Sequence, residues 1–117
     1  MGGRGTFKLI LDQNLRSWDG PIGMSIAPSP EGVKISRLGI SIGRPVGNAV
    51  KRNRIKRLLR EAFRALRADW PTAYDVVVLV KPHETGLLSH YQKSLINLKD
   101  RCLTKHQRRT AAPPSAG

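Results

Sequence analysis

The chain has 117 residues and carries 21 Lys and Arg against 8 Asp and Glu, a formal net charge of +13. That length is one domain's worth, and the charge argues against a monomeric enzyme of neutral metabolites and for a polyanionic partner, either nucleic acid or an anionic membrane. With 39% apolar residues the chain is no disordered polycation and has the Val, Ile and Leu to build a small core.

Residues 1–6 are small and polar and read as a flexible N-terminus. Phe7, Ile10, Leu11 and Leu15 have helical spacing, which predicts a short amphipathic helix broken by Asp19-Gly20-Pro21. Ile22, Met24 and Ile26 alternate with Gly23, Ser25 and Ala27, a strand with one buried face. Pro28 to Gly32 is a turn. A second extended segment starts at Val33 and Ile35, and the apolar set then moves to Leu38, Ile40 and Ile42. The change of parity at Ser36-Arg37 predicts a bulge or a break there.

Gly43 to Gly47 reads as a loop, because Pro45 does not sit in a central strand. A long helix follows over about residues 48–68, with Ile55, Leu58, Leu59, Ala62, Phe63 and Leu66 on one stripe. Trp70-Pro71 stops it. Residues 74–81 form a run apolar on both sides, a strand covered on both faces. Ser89-x-x-Gln92 fits a capping box and opens a last helix with Leu95, Leu98 and Cys102 in line. Residues 104–117 lack a pattern and read as a disordered basic tail. The order predicts one α+β domain, an α/β sandwich in which helices pack a small central sheet.

The lone Cys102 excludes an intrachain disulfide, and with three scattered histidines it makes a poor zinc set. It reads as a small buried hydrophobe. There is no secretory-signal pattern. The longest apolar run, residues 76–80, is far short of the ~20 residues of a membrane helix. The expectation is a cytoplasmic protein with a nucleic-acid partner and no membrane.

The charge is concentrated. Residues 37–67 hold ten Lys and Arg, eight of them Arg, and one acid, Glu61. On a helical wheel Lys56, Arg57, Arg60, Arg64 and Arg67 share one side, Arg54 lies on the other flank, and Lys51 and Arg52 sit in the first turn. A solvated helix face normally mixes both signs, and a cationic first turn opposes the helix dipole. Such a helix gains these costs back by binding phosphates, for which the planar Arg fork is suited. The helix also owns a wide apolar stripe, and neither a helix-turn-helix nor a zipper accompanies it. RNA therefore fits better than DNA.

The stretch from Arg37 to Arg64, RLGISIGRPVGNAVKRNRIKRLLREAFR, closely resembles the signature of the protein subunit of bacterial ribonuclease P. Its hallmark RNR run is here Arg52-Asn53-Arg54. The weaker flanks, Phe7-x-x-Ile10-Leu11 with Arg16 and the strand over residues 74–81, also fit. The resemblance covers about residues 5–103, and a domain over residues 7–103 is expected from it.

The resemblance implies a protein that binds a large catalytic RNA and helps it remove the 5′ leader from precursor transfer RNA. The RNA performs the hydrolysis with bound magnesium ions, and the protein raises affinity for substrate and metal. No organic cofactor, DNA or obligate protein partner is implied. The implied fold resembles a ribosomal-protein domain with a left-handed β-α-β crossover, against the right-handed hand that base rates favour. Carried over by position, the RNA-contacting set is Lys51, Arg52, Asn53, Arg54, Lys56, Arg57, Arg60 and Arg64. Gly47 and Asn48 form the tight lead-in to that helix, with Asn48 a candidate cap. Phe7, Leu11, Arg16 and Arg37 belong to a cleft for the single-stranded leader, where Phe7 either stacks on a base or packs in the core. The two arginines there either reach phosphates or are ordinary surface residues.

Two departures stand out. Only six residues precede Phe7, where many members carry a longer basic segment. Leu11 and Ser25 occupy positions where many members have aromatics, which predicts weaker stacking on the leader. The acids stand singly and His83, His90 and His106 are not paired, so no protein-borne site for RNA cleavage is expected. A ribosomal-type RNA-binding structural protein is the alternative that composition alone favours.

Overall fold

The computed structural model describes the backbone of residues 16–111 and the side chains of residues 16–106. Its elements are β1 (Ser17–Asp19), β2 (Ile22–Pro28), β3 (Arg37–Ile42), α1 (Ala49–Leu66), β4 (Tyr74–Val80) and α2 (Leu88–Ala111). Single 3-10 turns occupy Arg44–Val46 and Arg67–Asp69. The strands form one sheet in the order β1-β2-β4-β3. β3 and β4 are parallel neighbours joined through α1, and the other pairs are antiparallel.

The register explains the core. Ile22, Val80 and Ile42 fall in one rank across β2, β4 and β3; Met24, Val78 and Ile40 form the next; Ile26, Val76 and Leu38 the third. These even positions point to one face, as strand alternation requires. There they meet Ile55, Leu59, Ala62, Phe63 and Leu66 of α1 and Tyr91, Leu95, Leu98 and Cys102 of α2. Each fully buried aliphatic side chain stabilises the fold by roughly 1.5–3 kcal/mol. The stripe on α1 matches its sequence spacing, with Leu58 only partly buried at its margin. α1 meets the sheet along β3, and α2 meets it along β2 and β1.

The structure corrects several expectations. The residues around Asp19-Gly20-Pro21 do not end a helix but turn a hairpin between β1 and β2. Gly20 takes φ +61° and Pro21 follows with its ring-fixed negative φ. That sign pattern suits the right-handed twist of a two-residue hairpin. β2 is buried on both faces, not one. Trp18 lies over Gly23, where a Cβ would stand 2.8 Å from the indole. Val33 and Ile35 are not in a strand, so the parity change marks a start, not a bulge. Ser36 there is buried, and its hydroxyl oxygen accepts the Tyr74 N–H at 3.0 Å.

At the other end, α2 begins one residue before the predicted cap. Ser89 is inside the helix, and the Leu87 N–H donates to His90 Nδ1 at 3.3 Å. The tail is not disordered from residue 104, since α2 continues to Ala111. Tertiary contacts extend it. Leu103 packs on the core, the Lys105 ammonium donates to the Arg16 carbonyl at 2.9 Å, and His106 meets the Tyr74 ring edge-on at 5.4 Å. Residues 1–15, with the predicted first helix, and residues 112–117 lie outside the described residues.

Candidate RNA-binding surface

The lead-in to α1 is built from three neighbouring residues. Gly47 has φ +155° and ψ −169°, a region close to glycine-only. A Cβ there would lie 2.6 Å from Lys51 Cδ. Asn48 then caps the helix, its side-chain oxygen accepting the Lys51 N–H at 2.9 Å. The first turn holds no acid to complement the dipole, only Lys51 and Arg52. A helix that starts this way is stabilised by its buried stripe, not by its charges.

That stripe fixes where the charges go. With Ile55, Leu59 and Phe63 against the sheet, Asn53, Arg54, Arg57, Arg60 and Arg64 are exposed. Lys51, Arg52 and Lys56 are half-buried, and Arg52 Nε is buried without a hydrogen-bond partner. The only ion pairs among the described residues are Arg37–Asp75 and Lys99–Asp100. The cations of α1 therefore have no ion-pair partner among the described residues.

Two depressions flank the α1 ridge. One, of about 330 Å³, lies between α1 and β3 and is lined by Lys56, Arg60, Arg64 and Arg67 above Leu38, Ile40 and Phe63. The other, of about 420 Å³, is lined by Asn53, Arg57, Arg60, Glu61 and Arg64. Five of the eight motif-derived residues, Asn53, Lys56, Arg57, Arg60 and Arg64, therefore line these two depressions, which share Arg60 and Arg64. Arg54 lies on the opposite flank, as its place on the wheel requires. Arg67, Leu38 and Ile40 join this surface although the RNA-contacting set carried over from the motif does not include them. The charge run and strand alternation carried their signal, but only the packing of α1 on β3 joins them.

The predicted cleft residues disperse. Phe7 and Leu11 lie outside the described residues. Arg16 lines a separate depression of about 560 Å³ between β1 and α2, with Ser17, Trp18, Asp100, Arg101, Thr104 and Lys105. Two of its cations are tied to backbone in and just before β1: Arg101 donates to the Trp18 carbonyl at 2.7 Å and Lys105 to that of Arg16. Arg37 is bound to Asp75. Burial alone would raise the Asp75 pKa, but hydrogen bonds from Arg37 and Ser29, with the Arg37 charge, outweigh it and hold the carboxyl below its usual range. The hydrogen bond to Asp75 in turn raises the Arg37 pKa. Ser25 is fully buried. Trp18, on the same sheet face, carries the Lys81 ammonium 4.1 Å from its ring centre.

The histidines are structural where they stand. His83 Nδ1 faces the Lys81 carbonyl at 2.8 Å and so carries the proton. Its Nε2 then accepts from the Tyr91 hydroxyl at 2.8 Å, which itself accepts from the Gly86 N–H. Among the described residues no three His, Cys, Asp or Glu converge to hold a metal. No helix of the described residues is long and apolar enough to cross a membrane.

Comparison with known proteins bears on this arrangement. A ribonuclease P protein component from Brevibacillus brevis is 40% identical over 72 residues, covering 61% of this chain and 57% of that relative. One from Oceanobacillus iheyensis is 44% identical over 63 residues, covering 53% and 52%. The matched region thus spans little more than half the length of these relatives. The structure of the RNase P protein from Thermotoga maritima is 28% identical, with a TM-score of 0.74, covering 86% of this chain and 94% of that one. The family model described as Ribonuclease P matches residues 3–103. The chain therefore belongs to the ribonuclease P protein family.

Proposed function

We propose that the chain is the protein subunit of a ribonuclease P ribonucleoprotein, assisting a catalytic RNA in removing the 5′ leader from precursor transfer RNA. The observation that carries this is the α1 surface. It is a rigid helix, locked to the sheet by its apolar stripe, that presents a row of cations without acidic partners. Unpaired guanidiniums held in a fixed row suit phosphates, and neutralising several phosphates gives strong but salt-sensitive binding. Lys51, Arg52, Asn53, Arg54, Lys56, Arg57, Arg60 and Arg64 are assigned to the catalytic RNA.

The chemistry belongs to the RNA and its magnesium ions. The protein's part is to bind and orient, raising affinity for substrate and metal. Leader contact falls to Phe7, Leu11 and Arg16. Arg37 offers phosphates only the N–H donors that Asp75 leaves free.

The test is to add the purified chain to the catalytic RNA at low magnesium and follow release of the leader. Stimulated cleavage is expected, with no cleavage by the protein alone. No stimulation, or cleavage by RNA-free and metal-stripped protein, overturns the reading.

A further inference from the structure

We infer that the groove between α1 and the free edge of β3 seats a single ribose-phosphate strand of the RNA partner, with Arg67 as a phosphate contact outside the family motif. This rests on the RNA-binding role proposed above.

Among the described residues β3 pairs only with β4, so its outer edge carries no further strand there. Open edges invite pairing and are normally covered or guarded by charge. Here the guard is the overhanging flank of α1, where Lys56, Arg60, Arg64 and Arg67 line the groove. Their spacing of four, four and three residues places one cation on each helical turn, a rise of about 5.4 Å per step. A row of that kind suits a polymer with an anion at every step better than one isolated anion. No carboxylate lines the groove, and none of the four cations is ion-paired among the described residues.

The floor is apolar. Leu38 and Ile40 are half-buried, while Phe63 is almost fully buried. Apolar floor beneath cationic wall matches the two sides of a nucleotide strand, sugar and base faces below and phosphates above. Arg67 is already folded back, its guanidinium carbon 5.6 Å from the Phe63 ring centre, which holds it over the groove before any ligand arrives. Its volume of about 330 Å³ is at the small end for a ligand pocket, a size suited to a short stretch of one strand. Pairing with a second copy through the β3 edge would set two cationic walls face to face, which like-charge repulsion opposes.

Binding of the catalytic RNA is measured against salt for the wild type, Arg67→Ala, Leu38→Glu and the double variant Arg52→Ala/Arg54→Ala. Arg67→Ala is expected to weaken binding severalfold and flatten the log–log salt slope by about one. Leu38→Glu, which places a carboxylate in the floor and removes no cation, is expected to weaken it about tenfold or more. Wild-type binding by both groove variants, with loss in the double variant, overturns the groove and leaves the proposed function standing. Wild-type binding by all three overturns both.

A second measurement does not depend on those variants folding. Cys102 is fully buried, so an introduced Ile40→Cys thiol can be labelled selectively with an aryl azide, with Lys93→Cys on exposed α2 surface as control. The expected result is an RNA adduct at residue 40 and none at residue 93. A protein–protein adduct, or no RNA adduct in a complex of wild-type affinity, overturns the inference.

Discussion

Arg37 and Asp75 are direct partners across the parallel β3–β4 pair, and the guanidinium holds the carboxylate through two hydrogen bonds, Nε–H to Oδ1 at 2.7 Å and Nη2–H to Oδ2 at 2.6 Å. The Ser29 hydroxyl adds a third to Oδ1 at 2.8 Å. Asp75 is only 2% exposed, yet all this hydrogen bonding keeps it ionised. The cluster ties the segment after β2 and the start of β3 to the first turn of the β4 ladder. An arginine that the sequence offers to a phosphate is in the fold a clasp between strands.

The clasp makes stability depend on acid. The folded-state pKa of Asp75 lies below its unfolded value, so the group's contribution is present above about pH 4 and is lost as pH falls through the folded-state pKa. Asp75→Asn should lower Tm at neutral pH by roughly 5–10 °C. It should also reduce the difference in Tm between pH 6 and pH 3. An unchanged acid profile in thermal melts would remove Asp75 from this role.

Asn48 is the side-chain cap of a helix whose first turn has no acid. Asn48→Ala should cost about 1 kcal/mol, a Tm loss of several degrees. Asn48→Asp should recover the loss or exceed it, because a carboxylate also complements the dipole that Lys51 and Arg52 oppose. Calorimetry on the two variants decides this, and a melt of Asn48→Ala that overlays the wild type refutes it.

Cys102 is buried beneath β2, its thiol 3.5 Å from the Met24 carbonyl oxygen. Burial pushes its pKa up to about 11, against smaller opposing effects from Ser17, Lys105 and Arg101. The thiolate is the reactive species, so a disulfide reagent at pH 8 should leave the native protein unmodified and titrate one thiol in denaturant. Rapid native modification would show that the α2 packing opens readily.

Neutralising six to eight phosphates predicts a log–log salt slope of roughly −4 to −7 for RNA binding. Arg52→Ala/Arg54→Ala should flatten it by about two, and an unchanged slope would take both residues out of the interface.

Strands β2, β3 and β4, the buried stripe of α1 and the cationic run were legible because each is a local pattern. Alternation sets Ile22, Met24 and Ile26 on one face, and helical periodicity fixes which side of α1 is free. The β1–β2 hairpin was hidden because Gly20-Pro21 serves equally as a stop and as a turn, and only pairing with β2 distinguishes them. The last turns of α2 were hidden because residues 104–111 have no stripe of their own; Lys105 and His106 there contact Arg16 and Tyr74, residues distant in sequence. By itself, then, the sequence determined a basic α+β domain with one rigid cationic helix. Tertiary structure decided which cations remain free: Asp75 pairs with Arg37 across the sheet, while Arg60, Arg64 and Arg67 line the groove beside β3 with no ion-pair partner among the described residues. The physical reason is that charge is local to a residue, but its neutralisation depends on which distant residues the fold brings beside it.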